Sequence, residues 1–218
     1  MSYFSPIDEQ PRLLSGIQRY LEDRSMEFDR IPPERAVLLM RLAQRVHQEL
    51  CEHDRVRLVF VCTHNARRSL MAQLLAAAAA TQAGVAGVET FSGGTEATAP
   101  SPGAVAALGR AGFEIERTDG GASPVRHARF AEGLPPAVCS SKRLDEPPNP
   151  TEGFVAVLTC TEADGACPAV PGAAARFAIP YDDPKASDGT PDEAATYDER
   201  CRQIAREMLF VFSQVRPV

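Results

Sequence analysis

Cys62 and Arg68 bracket five residues, Thr63-His64-Asn65-Ala66-Arg67, and Ser69 follows directly. A thiol, a guanidinium and a hydroxyl at this spacing could bind and attack a tetrahedral oxyanion. Amide N–H groups of a short loop, and those of the first helical turn after it, converge on one centre and favour negative charge there. Arg68 can grip two oxyanion oxygens through a bidentate fork. The same field favours a thiolate, the reactive form of a cysteine, and Ser69 is placed to hydrogen-bond that sulfur. A lone cysteine at a strand end is more often a small apolar residue. The arginine and serine at this spacing argue otherwise.

Three further residue types could join this chemistry. Asp182 and Asp183 sit in Tyr181-Asp182-Asp183-Pro184, and a carboxylic acid near a tetrahedral centre can protonate a departing oxygen. Cys160 and Cys167 flank Thr161-Glu162-Ala163-Asp164-Gly165-Ala166. His47, His53 and His127 show no ligand spacing, and although His64 lies in the loop, no metal site is indicated.

These residues need elements to carry them. Val56 to Val61 is short and rich in β-branched residues, which predicts a buried strand. Leu70 to Ala83 is an alanine- and leucine-rich helix, so the loop from Cys62 to Ser69 joins a strand to a helix. Val88 to Ser92 predicts a second strand, and Pro102 to Ala111 a helix closed by Gly112. Phe154 to Thr159 and Ala175 to Ile179 predict two more strands. Thr190-Pro191-Asp192-Glu193 reads as a capping box opening a helix that runs to about Phe212. Strands alternating with helices imply a parallel sheet covered on both faces, with its site at the carboxyl ends of the strands. Cys62, Cys160 and Asp183 all fall just after a predicted strand.

Ahead of this domain, apolar residues recur at helical spacing at Leu14, Ile17 and Leu21, then at Ala36, Leu39, Leu42, Ala43 and Val46, with Ile31-Pro32-Pro33 between. This predicts an N-terminal helical extension over residues 1–54 and an α/β domain over 55–218. The stretch from Arg117 to Pro150 is dense in glycine, proline, serine and charge, and is expected to be an irregular insertion.

Composition sets the outer limits. With 218 residues and 44% hydrophobic residues the chain can bury a substantial core. A net charge of −6 argues against general binding to nucleic acid or anionic membranes. Met1 to Leu13 carries Asp8, Glu9 and two prolines where a signal peptide needs an apolar core. The longest apolar run, Leu74 to Ala80, falls far short of the ~20 residues that span a bilayer. The expectation is a cytoplasmic protein, whose six cysteines are reactive or free rather than a disulfide framework. Cys51, Cys139 and Cys201 lack a partner pattern and are expected to be structural.

Cys62-Thr63, Asn65, Arg68-Ser69 and Met71-Ala72 resemble the loop and helix start of the low-molecular-weight protein tyrosine phosphatase superfamily. Cys160 and Cys167, with Ala163-Asp164 and Pro168, resemble the redox pair of its thioredoxin-coupled arsenate reductases, a pair that the plain phosphatases lack. The resemblance implies a three-layer α/β fold on a four-stranded parallel sheet. It implies Cys62 as nucleophile, Arg68 as oxyanion clamp, Ser69 as thiolate stabiliser, Asn65 as shaper of the loop, and Asp183, the aspartate before proline, as general acid. Thr63, His64, Asn65, Ala66, Arg67 and Arg68 would bind the oxyanion. His64 stands where the family usually has glycine, Arg67 where the reductases have another cysteine, and Gln73 where potassium-binding members carry glutamate. The potassium site is therefore not carried over.

The implied reaction is arsenate reduction by a cysteine relay, with no bound cofactor and with thioredoxin or another dithiol as reductant. The alternative is a phosphatase acting on phosphotyrosine or a small phosphate ester. Were the Cys160 to Cys167 segment helical, its ends would lie ~10 Å apart, whereas a disulfide needs ~4.4–6.8 Å. A Cys160–Cys167 bond would thus require the segment to loop, which Gly165 would ease.

Overall fold

The computed structural model describes residues 11–118, 125–161 and 170–216. A two-residue strand, β1 (Arg12–Leu13), leads into helix α1 (Ser15–Ser25), and a single 3-10 turn over Phe28–Arg30 precedes α2 (Pro33–His53). Proline suits the first position of α2, where no N–H is needed and φ is preset. Ile17 and Leu21 of α1, with Leu39, Leu42, Ala43, Val46 and Leu50 of α2, turn one buried stripe inward.

The chain then enters the main sheet at β2 (Val56–Cys62), crosses through α3 (Arg68–Gln82) to β3 (Val88–Gly94), and passes through α4 (Pro102–Arg110). Next come the short strands β4 (Glu114–Arg117), β5 (Arg126–Arg129), β6 (Ala131–Glu132) and β7 (Ala137–Cys139). The chain returns to the sheet at β8 (Phe154–Leu158) and β9 (Ala173–Ala178), and ends in α5 (Glu193–Ser213). The sheet is parallel in the order β3-β2-β8-β9, with Val56 opposite Val88, Val61 opposite Leu158 and Val157 opposite Phe177. From β2 the chain goes first to one neighbour and later to the other, so β2 sits at a switch point, where such sheets open a crevice at their carboxyl ends.

Alternate residues of the central strands face opposite ways. Leu58, Phe60, Val155 and Val157 join the large core made with the helices. Val59, Val61, Phe154, Ala156 and Leu158 face a second cluster that holds Cys62, Cys160 and Val170. Helix α5 packs against α1, α2, α3 and α4 and joins the N-terminal helices to the rest.

Two local expectations change. The stretch after Arg117 is not irregular throughout: β4, β5 and β7 form an antiparallel sheet, and β1 pairs with β6. These strands are short, and charged or partly exposed residues interrupt their pattern, so the two-residue period is masked. The capping box also divides its bonds differently. The Thr190 hydroxyl donates to the Ser187 carbonyl, and the Glu193 carboxylate accepts the Gly189 N–H at 2.7 Å.

Candidate active site

Cys62 ends β2 and Arg68 begins α3, so strand, loop and helix lie as the spacing anticipates. Asn65 is the hinge of the loop. It is fully buried and has φ 47°, a left-handed conformation that asparagine tolerates better than most residues. Its Oδ1 accepts the Lys142 N–H at 3.1 Å, which fixes the orientation of the amide, and its Nδ2 then donates to Ser69 Oγ at 2.9 Å. With its lone pair so engaged, the Ser69 hydroxyl can direct its proton to Cys62 Sγ, 3.0 Å away.

The loop rests on the end of β3. The Glu96 N–H donates to the Thr63 carbonyl at 2.9 Å and the Ser101 N–H to the Ala66 carbonyl at 2.9 Å. Gly94 permits this approach, since a Cβ there would come within 2.6 Å of the Thr63 carbonyl oxygen. Ser141 Oγ donates to the His64 carbonyl at 2.9 Å and accepts the Thr98 N–H. The His64 ring is on the rim, with Nε2 3.5 Å from the Glu96 carboxylate.

Asp183 lies against the loop, held by both arginines. Arg67 grips it bidentately, Nε to Oδ1 at 2.7 Å and Nη2 to Oδ2 at 3.1 Å, and Arg68 Nη2 lies 2.9 Å from Oδ2. Arg68 Nη1 donates to the Tyr181 carbonyl at 3.1 Å, and Asp183 also accepts the Lys185 N–H. Partial burial tends to raise the Asp183 pKa, but the Arg67 hydrogen bonds, the Lys185 N–H and the charges of Arg68 and Arg67 outweigh it, and the carboxyl is held below its ordinary range. Arg67, expected on the oxyanion, thus turns its side chain to the aspartate. The Asp183–Arg68 contact already sets a carboxylate against the Arg68 guanidinium.

Cys160 follows β8, buried, with Sγ 3.7 Å from Thr63 Oγ1, the residue next to Cys62. Cys167 lies outside the described residues, as does Gly165. Burial pushes the Cys139 thiol up to about 11 and the Cys201 thiol up to about 12, so both are poor nucleophiles near neutrality. Gln73 bonds to Ser92 Oγ at 2.6 Å and to the Val138 carbonyl at 3.0 Å. Among the described residues no group of three or more His, Cys, Asp or Glu is arranged to hold a metal, and no helix is long and apolar enough to cross a membrane.

The sequence did not point to Lys142, Ser141 or the Tyr181 carbonyl. The first two act on the loop from the stretch expected to be irregular. The Tyr181 carbonyl is a backbone group, whose role no side-chain pattern signals.

The sheet is thus an open parallel α/β sheet whose switch-point strand ends in Cys62, with Arg68 opening the helix that follows. Residues 57–132 match the family model described as low molecular weight phosphotyrosine protein phosphatase. The matched stretch contains the loop and ends before Cys160 and Asp183. No curated protein sequence matches the chain. Among solved structures, the chain is similar to a YwlE mutant from Bacillus subtilis, at 18% identity and TM-score 0.47, over 73% of this chain and 97% of that one. It is similar to a low molecular weight phosphotyrosine phosphatase from Vibrio cholerae, at 14% identity and TM-score 0.48, over 71% and 93%. It is also similar to a thioredoxin-dependent arsenate reductase from Corynebacterium glutamicum, at 18% identity and TM-score 0.37, over 85% and 81%.

Proposed function

We propose that the chain is a thioredoxin-coupled arsenate reductase in which Cys62 attacks arsenic. The observation that carries this reading is the position of Cys160, with its sulfur 3.7 Å from the Thr63 hydroxyl at the end of the strand beside β2. A phosphatase needs no second thiol beside its nucleophile. A reductase does.

In the first step the Cys62 thiolate bonds to arsenic and an oxygen leaves as water, protonated by Asp183. Arg68 and the loop amides hold the remaining oxygens and the charge that develops on them. For Asp183 to act, the incoming oxyanion takes its place on Arg68, and the new negative charge beside the carboxyl favours its protonated form. The Cys160 thiolate then attacks Cys62 Sγ. The sulfur–arsenic bond breaks with its electron pair moving to arsenic, which leaves as arsenite, and a Cys62–Cys160 disulfide remains. Cys167 attacks Cys160, frees Cys62 as thiolate, and leaves a Cys160–Cys167 disulfide for thioredoxin or another dithiol to reduce by exchange.

The test is arsenate-dependent NADPH consumption with thioredoxin and thioredoxin reductase. Wild type should turn over, and Cys160→Ser and Cys167→Ser should each lose multiple turnover. Full activity in either serine variant would sink the relay. The family match over residues 57–132 favours a second reading, a phosphatase in which water resolves a Cys62 phosphocysteine. That reading predicts phosphate-ester hydrolysis surviving both serine variants and no arsenate turnover in wild type.

A further inference from the structure

Arg35 stands in the first turn of α2, outside the segment that matches the family model. Its Nε and Nη2 donate to Glu207 of α5 at 3.1 and 2.8 Å. The same guanidinium lies over the Tyr181 ring, 4.9 Å from its centroid. Glu207 and Tyr181 are buried and the Arg35 side chain is only 13% exposed, so water does little to screen these contacts.

Tyr181 is where these contacts meet the chemistry. Its carbonyl accepts Arg68 Nη1, and its N–H donates at 3.0 Å to the carbonyl of Thr159, the residue before Cys160. Asp183 is two residues further on. The Tyr181 ring is therefore held by the N-terminal helix while its peptide groups hold the site.

We infer that Arg35 is a positioning residue for the reaction: wedged between Glu207 and Tyr181, it fixes from the N-terminal helices the placement of the segment that holds Arg68 and carries Asp183. This rests on the reading of Arg68 as oxyanion clamp and Asp183 as proton donor. A displacement of about 1 Å at a reacting centre can cost on the order of 100-fold in rate, so a brace at this point acts on turnover as well as on stability.

A bond that merely glued α2 to α5 would act on stability alone, and the same seam supplies a control. Glu27 precedes the 3-10 turn, and its carboxylate binds Arg202 and Arg206 of α5 instead of the Tyr181 segment. The experiment compares Arg35→Met, Arg35→Lys and Glu27→Gln with wild type in the full chain, at a temperature where circular dichroism shows each one folded. It reads arsenate turnover with the thioredoxin system and the Kd for inorganic phosphate by calorimetry. Arg35→Met should lower kcat and weaken phosphate binding by about 10-fold each, Arg35→Lys should fall between, and Glu27→Gln should keep wild-type values. Should Arg35→Met fail to fold, Arg35→Lys carries the test with a several-fold loss in both readouts. Arg35 variants indistinguishable from Glu27→Gln, beside an active wild type, would overturn this inference alone. A wild type that binds neither arsenate nor phosphate would overturn the reductase reading and this inference together.

Discussion

Asn65 and Ser69 show how much of the site depends on the direction of single hydrogen bonds. The Lys142 N–H orients the Asn65 amide, the amide occupies the Ser69 oxygen, and the hydroxyl proton is left for Cys62. A hydrogen bond to a charged group contributes about 1.5–3 kcal/mol, which corresponds to roughly 10- to 150-fold in rate. On the proposed reading, Ser69→Ala should lower kcat/KM for arsenate by an amount in that range, and it should also lower the urea midpoint, because it leaves the buried Asn65 amide without its acceptor. Asn65 separates conformation from bonding. Asn65→Gly tolerates φ 47° but loses both side-chain bonds, whereas Asn65→Ala loses the bonds and adds about 1–2 kcal/mol of left-handed strain. Both variants should be destabilised in urea denaturation, with alanine the worse.

At the level of elements, α5 carries the charge network that holds the N-terminal helices. Glu27 is held down to about pKa 2, chiefly by the Arg202 hydrogen bond working against burial, with help from Arg24 and Arg206. An unfolded glutamate titrates near about 4.3. Because the folded value is depressed, Glu27 contributes stability that is present above about pH 4.3 and is lost as pH falls toward 2. Glu27→Gln should therefore lower the urea midpoint at pH 7, and its deficit should shrink between pH 4.3 and 2. The elements themselves were legible where one physical signal dominated. The two central parallel strands, β2 and β8, are short, mainly apolar runs, and the helices keep an apolar stripe. The sheet of β4, β5 and β7 was not legible, because strands such as Glu114–Arg117 and Arg126–Arg129 carry charge at most positions. In the candidate site, the placement of Cys62, Arg68 and Ser69 at the junction of a strand and a helix could be read from type and spacing. The attachment of Arg67 to Asp183 could not, since 116 residues separate the two in sequence and only the fold brings them together.

At the scale of the whole molecule, the acidic balance of the chain and its basic loop pull in opposite directions. The net charge is −6, and the two loop guanidiniums are already engaged with Asp183. On the proposed reading, an arsenate dianion that comes within the Debye length, about 10 Å at 0.1 M salt and longer at lower salt, therefore meets repulsion, and attraction begins only when it reaches the loop and exchanges with the carboxylate. Proteins that steer a ligand electrostatically capture it more slowly as ionic strength rises. This one should do the reverse. Between 20 and 200 mM potassium chloride, taken as an order-of-magnitude span of screening, kcat/KM for arsenate should hold steady or increase, and a steep fall would mean that the arginines reach into solvent as a beacon instead of waiting in an occupied pocket.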